Sequence, residues 1–180
     1  LGGQGKSQIA LEICRKLKKS CRGVFWLDAT SKATLERSFE RIAEELNRSA
    51  GRLLEDTESK VKFVLDTVQG WEERWLMVYD NYDRPDVFPD IKRFLPESGQ
   101  GATILTSRHE TTKVLGRHIR IPSMVNDGGV ELLLRDMSTE EIENSQADGE
   151  KIVQMLGGLA LAIEQAAAYI HFNRITLLEF

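Results

Sequence analysis

The first seven residues, Leu1-Gly-Gly-Gln-Gly-Lys-Ser7, place a lysine and a hydroxyl directly after a glycine-rich turn. They fit the end of the phosphate-loop pattern, in which a glycine and four further residues precede Gly-Lys-Ser or Gly-Lys-Thr. Glycines let backbone N–H groups curl around phosphate oxygens, and the positive end of the following helix dipole assists them. Lys6 can neutralise the outer phosphates, and the Ser7 hydroxyl can ligate Mg²⁺. The alternative is a glycine-rich turn that only caps a helix.

A carboxylate follows the apolar run Trp75-Leu-Met-Val-Tyr79, which is typical of a buried parallel strand. At the carboxyl end of such a strand, Asp80 can hold Mg²⁺ through its water shell, together with Ser7. Asp80 could instead cap a turn, because Asn81 and Asp83 are also turn formers. The phosphate-loop residues upstream favour the magnesium site.

An arginine stands in a similar place after the apolar run of residues 102–106. Arg108 could reach a γ-phosphate and so distinguish ATP from ADP, because guanidinium groups bind phosphate oxygens through charge-assisted hydrogen bonds. The residues alone equally allow a surface arginine at the end of a strand.

Apolar periodicity predicts the elements that must position these residues. Helical stripes cover residues 9–17, 35–46 and 61–68, and short apolar runs predict strands at 24–27, 75–79, 102–106 and 118–121. Strands separated by helices imply parallel βαβ units, whose ligands lie at the carboxyl ends of the strands. Asp28, Asp80 and Arg108 should therefore share one rim of an α/β sheet that is flanked by helices.

The pattern becomes wholly helical after Pro122. Ser-Thr-Glu-Glu at 138–141 is a capping box, Gly157-Gly158 interrupts the run, and an alanine-rich helix covers residues 159–172. We therefore expect a phosphate-loop domain at residues 1–122 and a small all-helical segment at residues 123–180. The first strand and the first glycine of the phosphate-loop motif are expected upstream of Leu1, in a longer protein.

The composition of the chain limits the classes of partner that we expect it to bind. The chain has 180 residues, of which 41% are hydrophobic and 29% charged, with a formal net charge of -4. A negative chain without a broad basic surface argues against nucleic acid or an anionic membrane as its main partner. No apolar run has transmembrane length. The two cysteines, Cys14 and Cys21, fit a reducing compartment, so we expect a cytoplasmic location.

In this order, the motifs resemble the NB-ARC domain, the nucleotide switch of the STAND class of P-loop signal-transduction ATPases, in the versions common in multidomain fungal proteins. The resemblance covers nearly the whole chain. Its motifs are Gly2-Gly-Gln-Gly-Lys-Ser7, Val24-Phe-Trp-Leu-Asp-Ala29, Trp75-Leu-Met-Val-Tyr-Asp-Asn-Tyr-Asp83, Gly101-Ala-Thr-Ile-Leu-Thr-Ser-Arg108 and Leu156-Gly-Gly-Leu-Ala-Leu-Ala162.

That resemblance implies ATP or ADP with Mg²⁺ as cofactors and a sheet core followed by a helical ARC segment. It also implies a winged-helix domain, a sensor such as tetratricopeptide repeats, and an effector domain that often serves innate immunity. The ADP-bound form would be the resting state, and the ATP-bound form would assemble into homo-oligomers.

The resemblance also assigns roles to residues. Asp80 would be the Walker B acid and Arg108 the sensor of the γ-phosphate, with Ser7 and Asp80 holding the metal. The residues expected to contact nucleotide are Gly2, Gly3, Gln4, Gly5, Lys6, Ser7, Gln8, Leu159 and Leu161.

Two positions depart from the NB-ARC pattern. Ala160 stands where the helical motif normally has proline, which weakens the expected adenine contact, and Asn81 follows Asp80 where many relatives carry a second acid. We therefore expect slow ATP hydrolysis in a signalling switch. A small-molecule kinase is one alternative, although no arginine-rich lid is present, and a scaffold that binds nucleotide without hydrolysing it is another.

Overall fold

A computed structural model describes residues 2–48, 51–125, 127–137 and 139–180 of the chain. It is an α/β structure in which helices flank a three-stranded parallel sheet, as predicted. The elements are α1 (Lys6–Leu17), β1 (Gly23–Asp28), α2 (Lys32–Asn47), α3 (Thr57–Gln69), β2 (Trp75–Asp80), β3 (Ala102–Leu105), α4 (Asp127–Leu134), α5 (Thr139–Met155) and α6 (Ala160–Asn173). Short 3₁₀ helices occupy Pro89–Phe94 and Glu110–Leu115.

These elements divide into two compact units, which we name the α/β unit and the helical unit. The α/β unit is residues 6–118, and the helical unit is residues 2–5 together with 119–180. A compact unit is a pattern of contacts and does not test independent folding, so the domain boundary expected after Pro122 stays a prediction.

Strand β2 is the centre of the α/β unit, because it lies between β1 and β3 and is buried along its whole length. Successive side chains of a strand point to opposite faces. Met77 and Tyr79 accordingly pack in the larger core with α2 and α3, whereas Leu76 and Val78 pack with residues of α1. By the same alternation, Asp80 belongs to the face that α1 covers.

Local sequence explains where the two helices of the larger core begin. Ser31 caps α2 in a reciprocal arrangement with Thr34, and Asp56 caps α3 by accepting a hydrogen bond from the Ser59 N–H at 2.6 Å. Such caps satisfy N–H groups that have no partner within the helix. The first turn of each helix therefore has a side-chain acceptor for one of its N–H groups.

The strand predicted at residues 118–121 is wrong, because this segment has no regular secondary structure. The segment contains two isoleucines, at positions 119 and 121, but Ile119 is 72% exposed and so lacks a core to pack on. The carbonyl of Ile121 instead accepts a hydrogen bond from the side chain of Gln4 at 3.2 Å.

Within the helical unit, α4, α5 and α6 surround an apolar core that includes Leu133, Val153 and Ile163. The predicted interruption at Gly157 and Gly158 is present, and both residues have a φ of 63°, which favours glycine. The capping box predicted at 138–141 begins at Ser138, which lies outside the described residues. No helix in the described part of the chain combines the length and apolar character needed to cross a membrane.

Candidate functional site

The candidate site of the α/β unit begins where the first turn of α1 meets the end of β2. Ser7 Oγ donates a hydrogen bond to Asp80 Oδ1 at 2.8 Å, although the two residues are far apart in the sequence. The alternation of β2 explains this contact, since Asp80 lies on the face that α1 covers. The structure thus brings together the two residues that the sequence assigned to magnesium.

Asp80 is only 8% exposed, and its carboxylate accepts further hydrogen bonds from both sides. Thr106 Oγ1 donates to the same Oδ1 at 2.6 Å, and Asn81 Nδ2 donates to Oδ2 at 3.3 Å. A buried carboxylate is costly unless such donors compensate for the water it has lost. The three donors also fix its orientation, so Asp80 presents a preorganised pair of oxygens.

These oxygens match the chemistry of magnesium, which prefers hard oxygen ligands and keeps several waters. Among the described residues, no group of three or more histidine, cysteine, aspartate or glutamate side chains is placed to hold a metal ion. Ser7 and Asp80 would therefore hold Mg²⁺ only together with water and phosphate oxygens. This donor set fits a magnesium–nucleotide complex and does not fit an ion held by protein alone.

Lys6 and Gln8 flank Ser7 in the first turn of α1, with Lys6 half-buried and Gln8 exposed. The N-terminus of a helix attracts anions, because its first N–H groups have no acceptor within the helix and carry the positive end of the dipole. A lysine at this point adds a full positive charge. The first turn of α1 therefore has the electrostatics of a phosphate site.

Beyond β2 and β3, the two chain segments are joined by hydrogen bonds. Thr106 Oγ1 accepts from the Asn81 N–H at 2.9 Å, and the Thr106 carbonyl accepts from the Tyr82 N–H at 2.9 Å. Ser107 Oγ donates to the Tyr82 carbonyl at 2.6 Å. The segment that carries Arg108 is thereby fixed to the segment that follows Asp80.

Arg108 itself is paired with Asp83. The Asp83 carboxylate accepts from the Arg108 backbone N–H at 2.7 Å and from its Nε at 2.5 Å. This pairing argues against Asp83 as a substitute base for hydrolysis, because both of its oxygens already accept hydrogen bonds.

Asp28, the third polar residue predicted at this rim, serves a local turn. Its Oδ1 accepts from both the N–H and the hydroxyl of Thr30, at 2.9 and 2.5 Å. The helix that follows is capped by Ser31, three residues further along the chain.

Within the helical unit, the predicted residues Gly3 and Leu161 meet directly. The carbonyl of Gly3 accepts a hydrogen bond from the Leu161 N–H at 3.0 Å, near the start of α6, where Leu159 makes no side-chain cap. Gly3 and Gly5 have φ values of 75° and 80°, as a tightly curled loop requires. Leu161 is 52% exposed and Leu159 half-buried, while Gly2 is exposed at the start of the described chain.

Sequence reasoning missed two functional candidates, Thr106 and Asp83. The sequence indicates Thr106 only as the last residue of the apolar run 102–106, and Asp83 only as a turn former. The parallel register of β2 and β3 brings both near the site, since Tyr79 pairs with Leu105 at the edge of the sheet. A hydroxyl at the end of the strand next to a Walker B candidate was the available signal for Thr106.

Comparison with known proteins shows that the chain is similar to a fungal protein. A protein of Hyaloscypha variabilis named nucleotide-binding leucine-rich repeat (NLR)-like protein is 26% identical over 198 aligned positions. The alignment covers 98% of this chain and 20% of the relative, so the chain spans about a fifth of that protein's length. No family model matches the chain. The name of that relative is consistent with the resemblance drawn from the motifs.

Proposed function

We propose that the chain is a nucleotide-binding regulatory module of the NB-ARC type, which holds ATP or ADP with Mg²⁺ and hydrolyses ATP slowly. The observation that carries this proposal is the 2.8 Å contact of Ser7 Oγ with Asp80 Oδ1 at the first turn of α1. The two oxygens that would share the metal are already adjacent. A relative named for nucleotide binding supports the proposal.

Each residue of this site has a defined role in the proposal. Lys6 and the N-terminus of α1 bind the phosphates, while Ser7 and Asp80 hold Mg²⁺, which when bound neutralises phosphate charge. Gly2, Gly3, Gln4, Gly5 and Gln8 are proposed to contact the phosphates, and Leu159 and Leu161 the adenine. Arg108 is proposed to contact the γ-phosphate.

Slow turnover follows from Asn81. A positioned general base accelerates proton transfer by roughly 10²–10⁴-fold, and an amide cannot take a proton from water. The Asn81 amide also donates to Asp80 at 3.3 Å, so it stabilises the metal carboxylate. A long-lived ATP state suits a signalling switch. By the resemblance, that state would control contacts with effector, winged-helix and repeat domains and assembly into homo-oligomers.

Removal of the Lys6 ammonium group tests nucleotide binding. We expect Lys6→Ala to abolish binding of both ATP and ADP in calorimetric titrations with Mg²⁺, because the negatively charged phosphates lose the positive charge of the Lys6 ammonium group. The matched control is Lys16→Ala, at the other end of α1, where the lysine is exposed. Circular dichroism checks folding. Unchanged affinity in Lys6→Ala, or no nucleotide binding by the wild-type chain, would refute the proposal.

Arg108→Ala tests the assignment of the γ-phosphate contact. A contact made only with ATP should be lost only for ATP, and a hydrogen bond to a charged group contributes about 1.5–3 kcal/mol, or roughly 10- to 100-fold in affinity. We expect ADP affinity to stay nearly constant. Arg84→Ala is the control, since Arg84 is exposed in the segment after β2. Equal losses for the two nucleotides would remove the γ-phosphate role from Arg108.

A further inference from the structure

In the contact of Asp83 with Arg108, the two side chains differ in their exposure to solvent. The Asp83 side chain is 14% exposed, whereas that of Arg108 is 55% exposed. A largely buried carboxylate therefore holds a guanidinium that extends into solvent. Oδ1 of Asp83 accepts from the backbone N–H of Arg108 and Oδ2 accepts from its Nε, so one side chain fixes both the main chain and the base of the guanidinium.

Tyr82 anchors this carboxylate in the fold. Tyr82 is 2% exposed, and its hydroxyl donates to the Phe88 carbonyl at 2.5 Å. Its ring also packs edge-on against Phe88, with the centroids 5.8 Å apart. Burial raises the pKa of the Tyr82 phenol, and the negative charge of Asp90 adds to that shift. Because its neighbour in the chain is held in the core, Asp83 has a fixed position.

We propose that Asp83 is a positioning residue that orients the Arg108 guanidinium and so sets the preference of the site for ATP over ADP. The inference rests on the proposed function, in which Arg108 contacts the γ-phosphate. A guanidinium presents its N–H donors in a fixed fork, and the Asp83 contact uses Nε. The terminal nitrogens Nη1 and Nη2 of the fork can still donate to a phosphate.

ATP affinity increases because the Arg108 side chain is already ordered before ATP binds. An exposed arginine that must be immobilised by its ligand loses rotamer freedom, at a cost that corresponds to roughly a two- to tenfold change in affinity. Asp83 restricts that freedom in advance. Because ADP has no γ-phosphate, its affinity gains nothing from an ordered Arg108.

Asp83 could instead compete with the γ-phosphate for Arg108, in which case its removal would strengthen ATP binding. The geometry favours positioning, since a competitor would occupy the terminal nitrogens that a phosphate needs. The contact of Oδ1 with the Arg108 N–H is also independent of where the side chain points. A phosphate can therefore be bound without displacement of Asp83.

The test measures the ratio of ATP to ADP affinity in Asp83→Asn. The amide oxygen can still accept from the Arg108 N–H, whereas the amide nitrogen cannot accept from Nε. We expect the ratio to fall about two- to tenfold, with ADP affinity and the melting temperature nearly unchanged. Asp83→Ala removes both contacts and should lower the ratio at least as much.

Asp86→Asn is the matched control, because Asp86 is an exposed carboxylate in the same segment. Loss of a negative charge near the site strengthens binding of both nucleotides, and of ATP slightly more because ATP carries the larger negative charge, so the Asp86 variant measures this contribution to the ratio. A double-mutant cycle completes the test: in an Arg108→Ala background, Asp83→Asn should leave the ratio unchanged.

A ratio that rises or stays constant in Asp83→Asn, while Arg108→Ala lowers it, overturns the positioning role and leaves the proposed function intact. Failure of the wild-type chain to bind ATP overturns both. Persistence of the Asp83→Asn effect in the Arg108→Ala background also overturns the inference, because Asp83 would then act without Arg108.

Discussion

Asp28 and Asp80 end neighbouring parallel strands as register partners, and yet their surroundings differ. Asp28 is exposed and accepts hydrogen bonds only two residues away, from Thr30. Asp80 is buried and accepts from Ser7, on a helix, and from Thr106, just after a strand, and both residues are distant from it in the sequence. Two aspartates at the same edge of one sheet thus have different roles: Asp28 stabilises a local turn, and Asp80 joins segments that are distant in the sequence.

The difference shows what turns a strand-end carboxylate into a candidate site. A local turn satisfies its acceptors from within one segment, so it needs no other part of the fold. The Asp80 carboxylate depends on three separate segments, which must all be folded for its oxygens to be oriented. Long-range donors, more than position at the rim, therefore distinguish the site from the turn.

The largest effect expected from this comparison is on nucleotide binding. Asp80→Asn removes the charge that would hold Mg²⁺, and we expect MgATP affinity to fall about 10- to 100-fold, as for loss of a charged contact. Asp28→Asn makes the same chemical change one strand away and should alter affinity less than twofold. Calorimetric titration of both variants is the measurement, and similar losses for the two would end the distinction.

The dependence of ATP affinity on Mg²⁺ is a second test of the role of Asp80. Because the described residues form no cage of three metal-ligating side chains, we expect no Mg²⁺ binding without nucleotide. ATP affinity should depend on Mg²⁺ in the wild-type chain and lose most of that dependence in Asp80→Asn. Titration of Mg²⁺ alone, at millimolar concentration, should give no heat of binding beyond dilution. A saturable magnesium site in the absence of ATP would contradict the donor set proposed here.

A smaller effect, on the rate of ATP hydrolysis, is expected when Asn81, the residue after Asp80, is replaced by an acid. We expect Asn81→Asp to raise single-turnover ATP hydrolysis about tenfold, because a carboxylate can accept the proton of the attacking water. The variant also loses the donor to Asp80 Oδ2, so some loss of stability should accompany the gain. Asp86→Ala controls for the loss of a negative charge in Asp83→Ala, because Asp86 is an exposed carboxylate in the same segment. A wild-type rate that is already fast and collapses in Asp83→Ala would identify Asp83 as the base.

Much of the α/β unit could be predicted because its signals are local. The apolar run of β2 indicates a buried strand, and the helical stripe of α1 follows the phosphate-loop residues directly. The contact of Ser7 with Asp80 could also have been derived, since the alternation of Leu76 and Val78 places Asp80 on the face that α1 covers.

Other features depend on tertiary partners that no local pattern encodes. Residues 118–121 alternate like a strand but find no core, as the exposure of Ile119 shows. The pairing of Asp83 with Arg108 joins residues that follow different strands, and it depends on how the two loops leave the sheet. Turn formers such as Asn81, which has a φ of 65°, suggest a turn without saying what it faces.

The smallest expected effect tests Thr106 against Thr30, the two hydroxyls that donate to the paired carboxylates. Thr106→Val keeps the side-chain shape but removes the donor to Asp80 and the acceptor for the Asn81 N–H. Thr106 is buried, so these groups lose partners that water cannot fully replace, and we expect the free energy of unfolding to fall about 1–2 kcal/mol. Thr30→Val removes an exposed hydroxyl, and the Thr30 N–H still donates to Asp28.

The Thr30 variant should therefore stay within about 0.5 kcal/mol of the wild-type chain, as surface substitutions usually do. Urea denaturation measures both variants, and an unchanged m-value shows that the comparison concerns stability alone. Thr106→Ser restores the hydroxyl and should recover most of the loss, which separates the hydrogen bonds from the packing of the methyl group. Equal costs for the two valine variants would mean that burial and long-range partners do not distinguish Asp80 from Asp28, and that Asp80 is no better oriented than a carboxylate in a local turn.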